Sequence, residues 1–140
     1  NLLSAYIRNL EFLPAGRHGE IKKFILVPIP LSEKRFQKRG FNQSSLIAKF
    51  ISENFKIPIE ENALARVKEM PPQAEIKDWH ARKENIKGCF GVINPELIIG
   101  KNIILIDDVF TSGATMSEAA HQLKDFGAKQ IIGLVIAKAG

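Results

Sequence analysis

The chain contains three short apolar runs, and the first two end in residues that commonly terminate strands. The runs are FILVPIP at residues 24–30, NIILID at 102–107 and QIIGLVIA at 130–137. Continuous apolar runs of this length, rich in β-branched residues, are typical of strands buried on both faces of a sheet. Prolines close the first run and two aspartates close the second. The pattern therefore predicts three buried strands.

Between these runs, apolar residues recur at helical spacing. One amphipathic helix is predicted to start at Asn42 or Ser44, both suited to cap a helix, and to reach Phe55. A second is predicted to follow the TSGAT segment and to end at Gly127. Apolar residues near helical spacing at 4–13 predict an additional, N-terminal helix. The apolar face of the second helix is marked by Met116, Ala119, Ala120, Leu123 and Phe126.

The alternation of apolar strands with amphipathic helices determines the predicted fold class. Right-handed crossovers between such strands give a mostly parallel sheet covered on both faces, which is an α/β doubly wound domain. Residues 66–78 have no clean period and contain two adjacent prolines, so an extended excursion is expected there. A short helix at 78–86 and a strand at 88–93 are predicted to follow it.

Length and composition indicate one soluble domain spanning residues 1–140. The chain is 45% hydrophobic and 25% charged, with a net charge of +5 and a pI of about 9.4, which favours anionic partners. Its one cysteine, Cys89, excludes an internal disulfide and a cysteine-rich zinc site, and is expected to be a small buried side chain. No apolar run is long enough to span a membrane. A single cysteine gives no indication of an oxidising compartment, so we expect a cytoplasmic protein. The start at Asn1 suggests an N-terminal truncation.

Two adjacent carboxylates, Asp107 and Asp108, stand at the predicted carboxyl end of the second strand. Ligands bind at this end of a parallel sheet, because loops and helix N-termini lie there. The TSGAT segment that follows offers hydroxyl groups, a glycine and successive backbone N–H groups, which together can hold a phosphate. Carboxylates accept hydrogen bonds from hydroxyl groups and bind hard cations. The combination indicates a ligand with a phosphate and vicinal hydroxyls, such as a ribose 5-phosphate.

The acidic pair, the TSGAT segment and the basic segment also fit other interpretations. Residues 115–118 match a capping box, so the segment could simply start a helix. An acidic pair after a strand also opens phosphoacceptor receiver domains, but there most of the domain follows the pair, whereas here about a quarter of the chain does. A nucleotide-binding P-loop and a Rossmann fingerprint are both absent from the sequence. The basic segment EKRFQKR at 33–39 is expected to be a loop, and it could be only a solvated surface.

A strand, two acidic residues and then the pattern Val-x-Thr-x-Gly-x-Thr resemble the phosphoribosyl pyrophosphate signature of type I phosphoribosyltransferases. IILIDDVFTSGAT matches it in full. Further segments resemble the ComF family of competence-associated phosphoribosyltransferase-like proteins: VPIPLSEKRFQKRGFNQ, PPQ at 71–73 and ARKENIKGCF at 81–90. That family usually carries a four-cysteine zinc ribbon upstream. We expect this chain to lack the ribbon, either by truncation or because this member has none.

The resemblance implies a type I phosphoribosyltransferase fold and specific roles for residues of this chain. Asp107 and Asp108 would be the catalytic acidic pair, holding the ribose hydroxyls and placing Mg²⁺ either directly or through water. The pyrophosphate would bind in the segment 31–39, through Lys34, Arg35 and Arg39. A mobile hood would contribute Gln73, Arg82 and Asn85. The 5-phosphate would be wrapped by Thr111, Ser112, Gly113, Ala114 and Thr115.

The resemblance leaves more than one function open. The protein would bind phosphoribosyl pyrophosphate with Mg²⁺ and transfer the phosphoribosyl group to a nitrogen acceptor. Alternatively it would be a non-catalytic accessory or regulator of DNA uptake in natural transformation, using the same site to bind a ligand. Single-stranded DNA or the competence machinery would then be a partner. The sequence identifies neither the acceptor nor the oligomeric state, and it is compatible with a dimer.

Overall fold

In a computed structural model of the chain, residues 23–68, 86–110 and 113–138 are described. Their elements follow one another as β1 (Phe24–Pro28), α1 (Glu33–Arg39), α2 (Gln43–Phe55), β2 (Leu64–Arg66), β3 (Phe90–Val92), a 3-10 turn (Pro95–Leu97), β4 (Asn102–Phe110), α3 (Ala114–Asp125) and β5 (Gln130–Lys138). The three predicted apolar runs are thus β1, β4 and β5, and both predicted amphipathic helices are present.

The three long strands form one parallel sheet in the order β1-β4-β5. Phe24 pairs with Asn102 at the start of β1, and β4 in turn pairs in parallel with β5 along most of its length. On the outer edge of β1, a parallel bridge joins Leu26 to Ile59. The carboxyl ends of β1 and β4 therefore lie side by side at one edge of the sheet.

Each face of this sheet is covered by a helix, as the sequence predicts. Alternate residues of a strand point to opposite faces, so β1 and β4 each supply two apolar sets. Leu26, Ile104 and Ile106 pack with Ile47 and Ile51 of α2. The other face packs against α3 and buries Val27, Ile103, Leu105, Ala119 and Leu123. The doubly wound α/β fold is therefore confirmed.

A second, antiparallel sheet consists of β2 and β3. The predicted strand at 88–93 corresponds to β3, whereas β2 was not predicted. Cys89, next to β3, is fully buried, as expected. The predicted helix at 4–13 lies outside the described residues, as does all but the last residue of the one at 78–86. Among the described elements, no helix has the length and apolar character needed to span a bilayer.

The basic segment after β1 is a helix, α1, and the prediction of a loop there was wrong. Ser32 caps it, because its Oγ accepts a hydrogen bond from the backbone N–H of Arg35 at 3.2 Å. Gly40 ends it in the left-handed conformation, with φ of 77°. No residue of α1 is buried. The helix is therefore stabilised by its caps, with no apolar face to mark it in the sequence.

Candidate functional site

A pocket of about 220 Å³ lies at the carboxyl end of the parallel sheet, and the two aspartates form part of its wall. Strand β4 continues past them to Phe110, so the acidic pair lies within the strand and not directly after it. The segment after β1, helix α1, the starts of α2 and α3, and β2 of the second sheet contribute the other residues of the wall. The pocket is lined by Ile29, Pro30, Leu31, Arg35, Arg39, Asn42, Gln43, Ser44, Arg66, Asp107, Asp108 and Thr115.

Asp107 is a partly buried carboxylate whose pKa is raised. Its Oδ1 accepts hydrogen bonds from the backbone N–H of Asp108 at 2.9 Å and from Ser44 Oγ at 3.4 Å. Burial and the neighbouring Asp108 carboxyl together raise the pKa of Asp107 from 3.8 to about 7, and these two hydrogen bonds oppose the rise only in part. At neutral pH Asp107 is therefore partly protonated, and a cation bound beside it would favour the ionised form.

The basic wall of the pocket comes from α1. Arg35 and Arg39 are four residues apart, hence on one face of the helix, and both line the pocket. Lys34 lies on α1 but is exposed and is not among the lining residues. Two of the three residues predicted to bind pyrophosphate are thus brought together with the acidic pair.

The start of α3 also borders the pocket. Gly113 precedes the helix with φ of 80° and makes no side-chain cap, so the helix begins at Ala114. Thr115 lines the pocket, while Ala114 is buried. Of the residues predicted to hold the 5-phosphate, Thr111 and Ser112 lie outside the described part. The three that are described stand at the N-terminus of α3, the end of a helix that favours anions.

The capping box considered for residues 115–118 does not form. The helix starts two residues earlier, with Gly113 in place of Thr115 as its N-cap, and Glu118 Oε1 instead accepts hydrogen bonds from the backbone N–H of Gly88 at 3.0 Å and from Gln122 Nε2 at 3.3 Å. The carboxylate of Glu118 is therefore engaged with the segment before β3, away from the helix start. The predicted hood residues Gln73, Arg82 and Asn85 lie outside the described residues.

Sequence reasoning missed four polar residues of the pocket wall, namely Asn42, Gln43, Ser44 and Arg66. Asn42 and Ser44 were considered only as helix caps. Asn42 does cap α2, since its Oδ1 accepts from the backbone N–H of Ser44 at 3.1 Å, but its Nδ2 also donates to the carbonyl of Ile29 at 3.1 Å. This bond ties α2 to the segment after β1. Arg66 carried no local signal, because it enters the pocket from the second sheet.

The donor set of the pocket suits Mg²⁺. It offers two carboxylates and the hydroxyl of Ser44, all oxygen ligands, on one side of a polar cavity. In the described part of the chain, no group of three or more His, Cys, Asp and Glu side chains could hold a metal by itself. Mg²⁺ commonly binds through one or two carboxylates together with substrate phosphates. The residues therefore fit a cation that binds along with a phosphorylated ligand.

Comparison with known proteins gives relatives that match these features. The phosphoribosyl transferase domain family matches residues 42–140. The chain is 31% identical over 109 residues to competence protein F of Haemophilus influenzae, covering 76% of this chain and 46% of that protein. It is 37% identical over 106 residues to competence protein ComFC of Bacillus subtilis, covering 76% of this chain and 40% of that one. The chain thus spans less than half the length of these curated relatives.

A third relative and a solved structure agree with this assignment. The DNA utilization protein YhgH of Escherichia coli is 31% identical over 106 residues, covering 76% of this chain and 45% of that protein. Purine phosphoribosyltransferase from Pyrococcus horikoshii has the same fold, with a TM-score of 0.51 at 16% identity, covering 94% of this chain and 71% of that one. The resemblance inferred from the motifs is confirmed: the chain belongs to the phosphoribosyl transferase domain family and is a ComF-type phosphoribosyltransferase-like protein.

Proposed function

We propose that the protein binds phosphoribosyl pyrophosphate together with Mg²⁺ in this pocket and transfers the phosphoribosyl group to a nitrogen acceptor. One observation carries the proposal. The acidic pair of β4, the arginines of α1 and the start of α3 border a single pocket at the carboxyl end of the sheet. A ligand that is a sugar with an anionic group at each end matches this distribution of charge.

Each wall of the pocket suits one part of that ligand. Asp107 and Asp108 accept hydrogen bonds from vicinal ribose hydroxyls. Arg35 and Arg39 offer planar donor groups that pair bidentately with phosphate oxygens, which suits the pyrophosphate. The N-terminus of α3 offers backbone N–H groups to the 5-phosphate.

The proposed reaction is a displacement at ribose C1. The lone pair of the acceptor nitrogen forms the new bond to C1 while the bond from C1 to the pyrophosphate oxygen breaks, and the pyrophosphate leaves with that electron pair. Mg²⁺ would neutralise part of the negative charge that develops on the leaving group. The protein's own residues hold the ribose in position and place the arginine charges beside the departing oxygens.

Calorimetry at pH 8, where Asp107 is largely ionised, tests the binding step. The parent protein is titrated with phosphoribosyl pyrophosphate in Mg²⁺ and again in EDTA, and we expect binding only with Mg²⁺. Asp107→Asn/Asp108→Asn should lower affinity by about tenfold or more, because hydrogen bonds to charged groups are lost. Asp125→Asn removes an exposed carboxylate far along α3 and should leave affinity unchanged. Absence of heat from the parent, or equal affinity in the double variant, would overturn the proposal.

Turnover is a separate measurement. Pyrophosphate release is followed with a panel of nucleobases, primary amines and ammonia, each with the parent and with the double aspartate variant. Release that depends on one class of acceptor and on the acidic pair supports the transferase proposal. Binding without release from any acceptor supports the alternative.

The alternative is a non-catalytic accessory or regulator of DNA uptake that uses the same site for a ligand. Two relatives are named competence proteins and a third a DNA utilization protein. In addition, Phe36 lies among the basic residues of α1 and Phe41 follows the helix, and the two side chains are 48% and 44% exposed. Exposed aromatic rings between cations are typical of surfaces that stack single-stranded DNA. Salt-dependent binding of a single-stranded oligonucleotide, lost in Phe36→Ala, would support this alternative.

A further inference from the structure

Arg66 reaches the pocket from outside the parallel sheet. It is the last residue of β2 and pairs in register with Phe90 of β3. Its guanidinium carbon lies 4.9 Å from the centroid of the Phe90 ring, and that ring is only 2% exposed. Since the ring is fixed in the core, this cation–π contact restricts the position of the guanidinium. The second sheet thus presents one positioned cation to the pocket.

Contact with Phe90 and donation to a ligand are compatible for a guanidinium. The group carries five N–H donors, and Arg66 lines the pocket although its Nε is buried. It can therefore contact the ring and donate to phosphate oxygens at the same time. Lysine has no planar fork of donors and cannot reproduce this pair of contacts.

The charges that line the pocket favour an anionic ligand close to Arg66. Arg35 and Arg39 come from α1, and Arg66 comes from β2, so cations approach the pocket from two separate elements. Three guanidinium groups exceed the two carboxylates of the pocket in charge. A polyanionic ligand restores the balance, because it places its oxygens between these walls.

We propose that Arg66 is a ligand-binding residue that donates hydrogen bonds to phosphate oxygens of the bound ligand, and that Phe90 acts as the positioning residue for its guanidinium. This inference rests on the proposed function, because it assigns a third cation to the same site. The phosphate oxygens could belong to the pyrophosphate or to the 5-phosphate, which share the same chemistry.

The test compares two variants that each remove one positive charge from the same stretch of chain. Arg66→Met keeps an unbranched stem but loses the guanidinium. Lys68→Met is the matched control, since Lys68 is exposed and is not among the pocket-lining residues. Calorimetric titrations use phosphoribosyl pyrophosphate with Mg²⁺, inorganic pyrophosphate with Mg²⁺, and ribose 5-phosphate. We expect Arg66→Met to lower affinity for the first ligand by roughly 10- to 100-fold, and Lys68→Met by less than about twofold.

The two smaller ligands identify which phosphate Arg66 contacts. Weaker binding of pyrophosphate alone assigns Arg66 to the leaving group, and weaker binding of ribose 5-phosphate alone assigns it to the 5-phosphate. Equal affinities for all three ligands in Arg66→Met and in the parent would overturn the inference while leaving the proposed function intact. If the parent binds none of the three, the proposed function fails first.

Variants of Phe90 distinguish a ligand-binding role of Arg66 from a purely structural one. If Phe90 orients the guanidinium, Phe90→Leu should weaken binding several-fold in the parent and have no further effect in Arg66→Met. An equal effect of Phe90→Leu in both backgrounds would show that the ring does not act through Arg66. If Arg66→Met does not fold, the same titrations are made with Arg66→Lys. It keeps the charge but loses the planar donors, so we expect affinity to fall several-fold, and unchanged affinity would contradict the inference.

Discussion

Ionisation of Asp107 should make the ligand-free protein less stable as the pH rises, and Asp107→Asn should remove that loss. The pKa of Asp107 is raised from 3.8 to about 7, first by burial and then by the carboxyl of Asp108. Between these two values the folded protein keeps a proton that the unfolded chain has already released. Stability therefore falls as the pH rises from about 4 to about 7, and the loss is complete above the folded-state pKa.

The size of this effect follows from the shift. One pKa unit corresponds to about 1.4 kcal/mol, so a shift of about three units sets an upper limit of about 4 kcal/mol at pH 8. Asp107 is only partly buried, and solvent screens part of the penalty, so we expect about 2–4 kcal/mol. Asparagine resembles the protonated aspartate in shape and cannot ionise. Asp107→Asn should thus match the parent near pH 4.5 and exceed its stability at pH 8.

Urea denaturation in EDTA, at intervals between pH 4.5 and 8.5, measures the difference in unfolding free energy between variant and parent. Taking the difference cancels other titrating groups. The exposed Asp125 lies 3.7 Å from His121 on the surface of α3, and Asp125→Asn is the control, for which we expect a nearly constant difference. A constant difference for Asp107→Asn as well would falsify the argument that burial of this carboxylate opposes folding.

Two further predictions concern the elements around the pocket. Asn42→Ala should lower the unfolding free energy by about 1–2 kcal/mol, because it removes the cap of α2 and the bond to Ile29, and a change below about 0.3 kcal/mol in urea denaturation would contradict this role. Gly40→Ala and Lys56→Gly should act in opposite directions, since both positions have positive φ, of 77° and 56°. We expect Gly40→Ala to lower the unfolding free energy by about 1 kcal/mol because of the backbone conformation alone, since its Cβ would meet no atom within 4 Å. Lys56→Gly should raise the unfolding free energy by up to about 1 kcal/mol. Thermal melts in which both variants shift the melting temperature in the same direction would contradict this prediction.

The main sheet was predictable because its signal is local. β1 and β4 carry the buried residues of the sheet, so each leaves a continuous apolar run, and α2 and α3 each leave an amphipathic period. β5 leaves an apolar run as well, but its described side chains are only partly covered and Ile132 is 45% exposed, so the prediction of a third buried strand was wrong. The pocket at the carboxyl end of the sheet followed from the same pattern, since ligand sites of parallel sheets lie there, although β4 continues past the acidic pair to Phe110.

The elements that the sequence did not reveal lack such a signal. α1 buries no side chain, so hydrophobic periodicity carries no information about it, and its caps at Ser32 and Gly40 define it instead. β2 has three residues and pairs with a strand across a long intervening segment. The entry of Arg66 into the pocket depends on that pairing, and it could not be read from neighbouring residues.

The single cysteine of the chain lies beside this second sheet. Cys89 is fully buried, burial raises the pKa of its thiol, and its carbonyl accepts a hydrogen bond from the backbone N–H of Val67 at 2.7 Å. A thiol reagent can react with it only when the surrounding structure opens locally. The labelling rate of the unmodified protein therefore measures the frequency of that opening, without an engineered probe. If a bound ligand joins Arg66 to the main sheet, labelling should slow in proportion to occupancy, so one native residue reports on the dynamics of the site.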